Sequence, residues 1–243
     1  MITNSELKYI KKLGRKKYRN LHSHFVVEGD KVFNDFFDSN ITMFKSFSTK
    51  KIKGQNAIIV SNNCMKRMTF MKNPSNVLGI FSIPKKKKAP VNEKMLVLDD
   101  VSDPSNLGSL IRLCDWFGFE NIVCSKKTVD CYNPKVVQSS MGSLARVNIF
   151  YEDLKSYLKR VEKNSVCPFI VGFGINDRKD VVRINKMAHG AVIGSAIIRQ
   201  LAKSENPIIT VQEYIEKLKT WSLYNRREIV LFVAGFVVGA IIF

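Results

Sequence analysis

A chain of 243 residues, 45% hydrophobic and 25% charged, can bury a sizeable core and is long enough for one large domain or two small ones, which sets aside a disordered or fibrous polypeptide. Thirty-nine Lys and Arg face 21 Asp and Glu, and the net charge of +18 points to a polyanionic partner, either nucleic acid or an anionic membrane surface. Five cysteines (Cys64, Cys114, Cys124, Cys131, Cys167) form no CxxC pair and only three histidines accompany them, so no metal site is expected, the thiols read as reduced, and the chain reads as cytosolic.

Residues 1–90 read as a small α/β domain. Glu6–Tyr18 is lysine-rich with apolar residues at helical spacing, and it carries Lys11, Lys12, Arg15, Lys16 and Lys17. His24–Gly29 (HFVVEG) reads as a strand ending in a turn, Asp30–Phe37 as a helix, Asn56–Val60 as a strand and Val77–Ile83 as a third strand. In Pro84–Pro90 (PKKKKAP), prolines bound Lys85, Lys86, Lys87 and Lys88; like charges keep such a run solvated, as a linker or as a phosphate-contacting strap.

From Met95 the rhythm becomes strand–helix–strand: Met95–Leu98, the helix Ser105–Phe117 with Leu110, Ile111, Cys114 and Phe117 on one face, the strand Asn121–Cys124, the helix Pro134–Ser139 and the charged helix Tyr151–Glu162. Further on, Phe169–Val171 and Gly190–Ile193 read as strands and Asp177–Met187 and Ala196–Lys203 as helices, an alternation that argues for parallel α/β units. Leu98–Gly118 carries the densest chemistry. A buried strand ends at Asp99 and Asp100, Asp103-Pro104 turn the chain, Ser105 or Asn106 can cap the helix, and Gly108 permits close approach of a ligand or a neighbouring strand. Arg112 then projects beside the strand's carboxyl end, where open α/β sheets bind ligands, and a cation and an amide there suit a phosphodiester or a ribose.

The string LDDVSDPSNLGSLIRLCDWFG within Met95–Gly118 resembles the first motif of the SpoU/TrmH RNA ribose 2′-O-methyltransferases. Phe25–Gly29 (FVVEG) behind a lysine-rich helix is similar to the small substrate-recruiting domain of that family, and Asn133–Asn148, with Ser139-Ser140-Met141-Gly142, resembles the segment after the first motif, so the likeness runs over about residues 1–150. It implies a SPOUT-like parallel-sheet domain with an incomplete knot behind a small α/β substrate-binding domain, S-adenosyl-L-methionine as methyl donor, rRNA or tRNA as substrate and a homodimer. It also implies catalytic roles for Arg112 and Asn106, and RNA binding by Lys11, Lys12, Arg15, Lys16, Lys17, Glu28 and Lys85 to Lys88.

After residue 150 the chain departs from the family pattern: Val192-Ile193-Gly194-Ser195-Ala196 has a strand and one glycine but no glutamate, and no Ser-Leu-Asn occurs. Pro168–Asp180 and His189–Leu201 resemble instead the last two strand–loop–helix units of the tryptophan synthase α-subunit, over about residues 167–218. That likeness implies phosphate binding by Gly172, Gly174, Gly194 and Ser195. The expected division is 1–90, 91–165, 166–220 and an apolar tail, 221–243. Within the tail, Ile229–Phe243 as a helix spans only about 22 Å, and Trp221–Tyr224 with Arg226-Arg227 bring a tilted membrane span within reach. Three function classes follow: an RNA methyltransferase, a non-catalytic RNA-binding protein, and a tryptophan-synthase-like lyase.

Overall fold

The computed structural model of the chain describes residues 2–52, 54, 56–85, 87–91, 93, 95–164, 170–171, 177–185, 190–193, 195–202, 204–218 and 228–231. It divides into two compact units, Met1–Asn164 and Ser165–Phe243.

The first unit opens with α1 (Asn4–Lys12), closed by a capping box in which the Glu6 N–H donates to the Thr3 hydroxyl (3.2 Å) and the Thr3 N–H to the Glu6 carboxylate (2.9 Å). The single helix expected over Glu6–Tyr18 is two, because α2 (Lys16–His22) starts after a turn at Leu13–Arg15. The turn has a physical cause. The Leu13 carbonyl accepts from Arg19 Nη1 (2.9 Å), and the Phe70 ring lies so close to Gly14 that a Cβ there would meet it at 2.6 Å.

A four-stranded sheet follows, built from β1 (His24–Glu28), β2 (Met43–Ser48), β3 (Ile58–Ile59) and β4 (Val77–Ser82) in the order β1-β4-β2-β3, with β4 antiparallel to both β1 and β2. Helix α3 (Asp30–Phe37) falls on the expected residues, whereas α4 (Asn62–Met68) and β2 were not expected. Strand β2 reads MFKSFS, and Ser46 and Ser48 are buried in it, so it carries little hydrophobic alternation. One face of the sheet packs Leu7, Ile10, Leu13, Met65 and Met68 against Phe47, Leu78 and Ile80. On the other face Phe25, Phe33, Phe36 and Phe81 form one continuous core with Leu98, Leu107, Ile111, Val136 and Val137. Residues 1–90 and 91–164 therefore share a core.

The second half of this unit is a parallel three-stranded sheet in the order β5-β6-β7: β5 (Met95–Leu98), β6 (Asn121–Ser125) and β7 (Asn148–Glu152), with Leu98 and Tyr151 both in register with Cys124. The crossovers carry α5 (Pro104–Trp116) and α6 (Pro134–Ser139), and α7 (Leu154–Asn164) closes the unit. The helix expected from Tyr151 starts three residues later, since Tyr151 and Glu152 complete β7. The segment joining the sheets is pinned at its far end. The Ala89 N–H donates to Glu152 (2.8 Å), Arg160 donates to the Ala89 carbonyl (3.0 Å), and the Tyr157 hydroxyl donates to the Pro90 carbonyl (2.9 Å).

Gly108 serves the contact of α5 with α6. A Cβ at Gly108 would overlap the Ser139 hydroxyl and come within 2.7 Å of its Cβ and 2.8 Å of its carbonyl carbon. Its close neighbour is thus a helix of the same unit, where the sequence suggested a ligand or a strand. Overpacking of this kind costs about 1–3 kcal/mol. Gly108→Ala is expected to lower stability by that amount in chemical denaturation; an unchanged midpoint would show that the helices can part freely.

The second unit contains β8 (Ile170–Val171), β9 (Gly190–Ile193) and β10 (Glu228–Leu231), parallel with β9 in the middle, and the helices α8 (Arg178–Asn185), α9 (Ser195–Leu201) and α10 (Pro207–Leu218). The fold is α/β, as expected, with a mixed sheet in β1–β4 and parallel sheets in β5–β7 and β8–β10. The apolar tail is corrected in part: Ile229–Leu231 belong to a strand, which pairs its backbone with β9, and residues 232–243 lie outside the described ones. Among the described residues no helix is long and apolar enough to cross a membrane.

Candidate functional site

The carboxyl edge of β5-β6-β7 is built by short polar stitches between the loops that leave it. Asp100, just past β5, takes a left-handed backbone (φ 51°) that a non-glycine residue rarely adopts, and its N–H donates to the Ser125 hydroxyl at 2.9 Å. The Ser125 and Thr128 hydroxyls are 3.2 Å apart, and the Val129 N–H donates to the Val101 carbonyl (2.9 Å), so the two loops are held side by side. Strain of this kind persists only where neighbours fix it. Asp99 and Asp100 stay exposed, with Lys126 and Lys127 exposed beyond β6.

Helix α5 rises from this edge. Its cap is Asp103, whose Oδ1 accepts from the N–H groups of Ser105 (2.8 Å) and Asn106 (2.9 Å), with Pro104 at the first helical position. Neither Ser105 nor Asn106 supplies the cap, as the sequence had suggested; Asp103 has the acceptor, and proline needs no N–H there. The side chains of Asn106 and Arg112 are both exposed. Arg112 follows Asn106 by six positions in the helix, which puts them about 9 Å apart along the axis and on faces roughly 120° apart. The expected apolar face of α5 is half right: Ile111 and Cys114 are buried, but Phe117 is 58% exposed and the deepest residues are Leu107 and Ile111.

The basic residues of the first 17 separate into two groups. Lys11 is occupied, donating to the Thr69 carbonyl (2.6 Å) and lying 5.0 Å above the Phe70 ring. Lys12, Arg15, Lys16 and Lys17 are exposed around the α1–α2 corner. Lys16 reaches over the Tyr151 ring at 5.9 Å, and the Tyr151 hydroxyl donates to the Val129 carbonyl (2.6 Å) in the loop after β6. Arg19, only 2% exposed, donates to one oxygen of Asp130 through Nε (2.9 Å) and Nη2 (2.5 Å). These contacts set the basic corner beside the carboxyl edge of the parallel sheet.

Glu28 is buried in β1, and its carboxylate accepts from the Phe70 N–H (2.8 Å) and from the Thr69 hydroxyl. Burial pushes its pKa up, against the pull of those two donors and of Lys11. The structure thus uses Glu28 to hold the 69–70 loop. Lys85, Lys87 and Lys88 are exposed, while Lys86, Gly172, Gly174 and Gly194 lie outside the described residues. Ser195 is the first residue of the seven-residue α9.

One further arrangement escaped the sequence. Arg146 clamps Asp115 of α5 (2.7 Å) and Asp35 of α3 (3.2 Å), and the guanidinium holds the Asp115 carboxyl below its usual range. Burial raises Cys114 to about 11 and Cys124 to about 12, and it pushes Cys131 well up, so these three thiols stay protonated and unreactive. No hydrophobic period marks Arg146 or Asp35.

Residues 93–193 match the model of the SpoU rRNA Methylase family, and residues 4–79 match the MRM3-like substrate binding domain. The first match continues well past residue 150, where the sequence likeness was expected to end. The chain is similar to the 23S rRNA (guanosine(2553)-2'-O)-methyltransferase RlmP of Bacillus subtilis, with 26% identity over 67% of this chain and 68% of that protein. It is 28% identical to the mitochondrial rRNA methyltransferase 3 of Xenopus laevis over 55% of this chain, but spans only 36% of that protein. A 56-residue stretch, 23% of the chain, is 46% identical to the tryptophan synthase alpha chain of Chlorobaculum parvum and covers 21% of it. Among solved structures, a TrmH-family protein from Porphyromonas gingivalis superposes with a TM-score of 0.65 at 25% identity over 73% of each chain. An rRNA methyltransferase from Sinorhizobium meliloti, solved with AdoMet bound, gives 0.66 at 21% identity, over 89% of this chain and 95% of that one.

Proposed function

We propose that this chain, which carries a SpoU rRNA methylase domain behind an MRM3-like substrate binding domain, is an S-adenosylmethionine-dependent methyltransferase acting on a ribose 2′-hydroxyl of ribosomal RNA. The observation that carries the reading is the placement of the exposed basic corner Lys12–Lys17 beside the carboxyl edge from which α5 presents Arg112, through the Lys16–Tyr151 and Arg19–Asp130 contacts. An RNA backbone bound on the corner runs toward that edge.

S-adenosylmethionine, when bound, supplies an electrophilic methyl on a sulfonium. At the edge, the exposed carboxylates of Asp99 and Asp100 would accept from its hydroxyl or ammonium groups. Arg112 has five fixed N–H donors, a geometry that suits the phosphate flanking the target ribose. Its positive charge also stabilises negative charge developing on the 2′-oxygen as that hydroxyl loses its proton. Asn106, at the start of the same helix, can accept from or donate to the ribose. The tryptophan-synthase-like stretch covers too little of a lyase to supply its chemistry, and we read it as scaffold.

The test is calorimetric titration with S-adenosylmethionine, then transfer of labelled methyl to ribosomal RNA transcripts and nuclease digestion to the modified nucleoside. Donor binding and label on a 2′-O-methyl nucleoside are expected. No heat at millimolar donor together with no label would overturn the reading and leave an RNA-binding protein without catalysis.

A further inference from the structure

A cleft of about 500 Å³ opens in the substrate-binding half, away from Arg112, lined by Ser5, Glu6, Tyr9, His22, His24 and Phe44 over a floor that includes Ile10, Phe47 and Ile80. Its volume is in the range of sites that hold small planar ligands. Three of its features fit one kind of guest.

The first is an aromatic stack with an open end. His24 and Phe44 are stacked with centroids 4.3 Å apart and planes 30° apart, and Phe44 is nonetheless 55% exposed. Tyr9 stands edge-on to His22 at 5.0 Å, and its hydroxyl bonds His24 Nδ1 at 2.5 Å, which fixes the His24 ring in place. Burial, with His22 nearby, lowers the His24 pKa and so favours the neutral ring, whose Nδ1 can accept from the Tyr9 hydroxyl. One end of the stacked His24–Phe44 pair is thus open to solvent within the cleft, the arrangement on which an unpaired base stacks.

The second is a polar rim with both hydrogen-bonding senses. Lys45 Nζ and Glu6 Oε1 pair at 2.7 Å beside the rings, so a donor and an acceptor face a planar guest together. The third is charge. Ser5 and Tyr9 on the cleft wall are four residues apart on α1, as are Lys8 and Lys12 beside them, so the wall continues as an exposed cationic row at Lys8 and Lys12. An aromatic slot with a cationic row along it suits a base joined to a phosphate chain, and not a neutral apolar ligand.

We propose that the Tyr9–His24–Phe44 cleft is a stacking site for one unpaired nucleobase of the RNA substrate, with Glu6 and Lys45 at the base edge and Lys8 and Lys12 on the flanking phosphates. The proposal rests on the RNA reading above and adds to it a demand for a single-stranded element at a set place.

The experiment measures affinity of the full chain, at one fixed salt concentration, for an RNA hairpin with an unpaired loop and for a fully paired duplex of equal length. One stacked base is worth about 1–3 kcal/mol, so Phe44→Ala is expected to weaken hairpin binding roughly 5- to 150-fold and to leave duplex binding unchanged. Phe44→Tyr, which keeps the ring, is expected to restore the hairpin affinity. If the wild-type chain binds the hairpin and Phe44→Ala binds it equally well, or loses hairpin and duplex alike, the cleft is not a base site although the RNA reading stands. Failure of the wild-type chain to bind either RNA at low salt overturns both.

Discussion

Arg112→Ala is expected to lower the single-turnover rate of methyl transfer by roughly 100- to 1,000-fold, the usual cost of removing one preorganised donor from a site of developing negative charge. The thermal midpoint and the affinity for S-adenosylmethionine should not move. Arg112 is exposed on α5, and among the described residues its side chain has no hydrogen-bond or ion-pair partner. Arg112→Lys keeps the charge and loses the planar fork, and it should recover only part of the rate if bidentate phosphate contact matters. A wild-type rate for Arg112→Ala, measured under single turnover, would remove the residue from the active site.

Arg19→Met is expected to cost about 3–5 kcal/mol, since it leaves the largely covered Asp130 carboxylate without its charge partner. For a chain of this size each kcal/mol moves the midpoint by about 2–4 °C. The pair merits this figure because Arg19 is 2% exposed and Asp130 13% exposed, unlike the half-exposed Arg146. A second effect should accompany the first. The same guanidinium holds the Leu13 carbonyl, so the corner that carries Arg15, Lys16 and Lys17 should loosen and RNA affinity fall with stability. Pairing Arg19→Met with Asp130→Asn removes the stranded charge and should return part of the loss. A change below about 1 kcal/mol for the single variant would show that water reaches Asp130.

The legible parts of the fold were those where one physical signal ran unopposed. Met95–Leu98 is four apolar residues between polar ones and is a strand; Asp30–Phe37 and Pro134–Ser139 carry their helical spacing from end to end. Strand β2 was hidden because it buries Ser46 and Ser48 and exposes Phe44, the reverse of the usual pattern. The α1–α2 corner was hidden because its causes, Arg19 on the Leu13 carbonyl and Phe70 against Gly14, lie up to 56 residues apart in the chain. At the site, the motif around Asn106 and Arg112 was readable, yet the work of its smaller residues was not. Asp103 caps the helix, and Gly108 answers to Ser139 of α6, a contact that exists only once both helices are in place. Glu28 shows the same limit, since a buried acceptor for Thr69 and Phe70 looks, in sequence, like any charged residue at a strand end.

Lysines 85 to 88 look like a leash between two bodies, but the chain around them is tied down. Ala89 and Pro90 are bonded to Glu152, Arg160 and Tyr157, Arg146 bridges α3 to α5, and the two halves of the first unit share one core. A tethered recruiting module would search a volume and raise the local concentration of many RNA positions. A clamped one works as a gauge. On the proposed reading, in which the basic corner grips RNA and Arg112 acts at the ribose, the span between them is fixed when the chain folds, and choice among riboses becomes a matter of length along the RNA as much as of base identity.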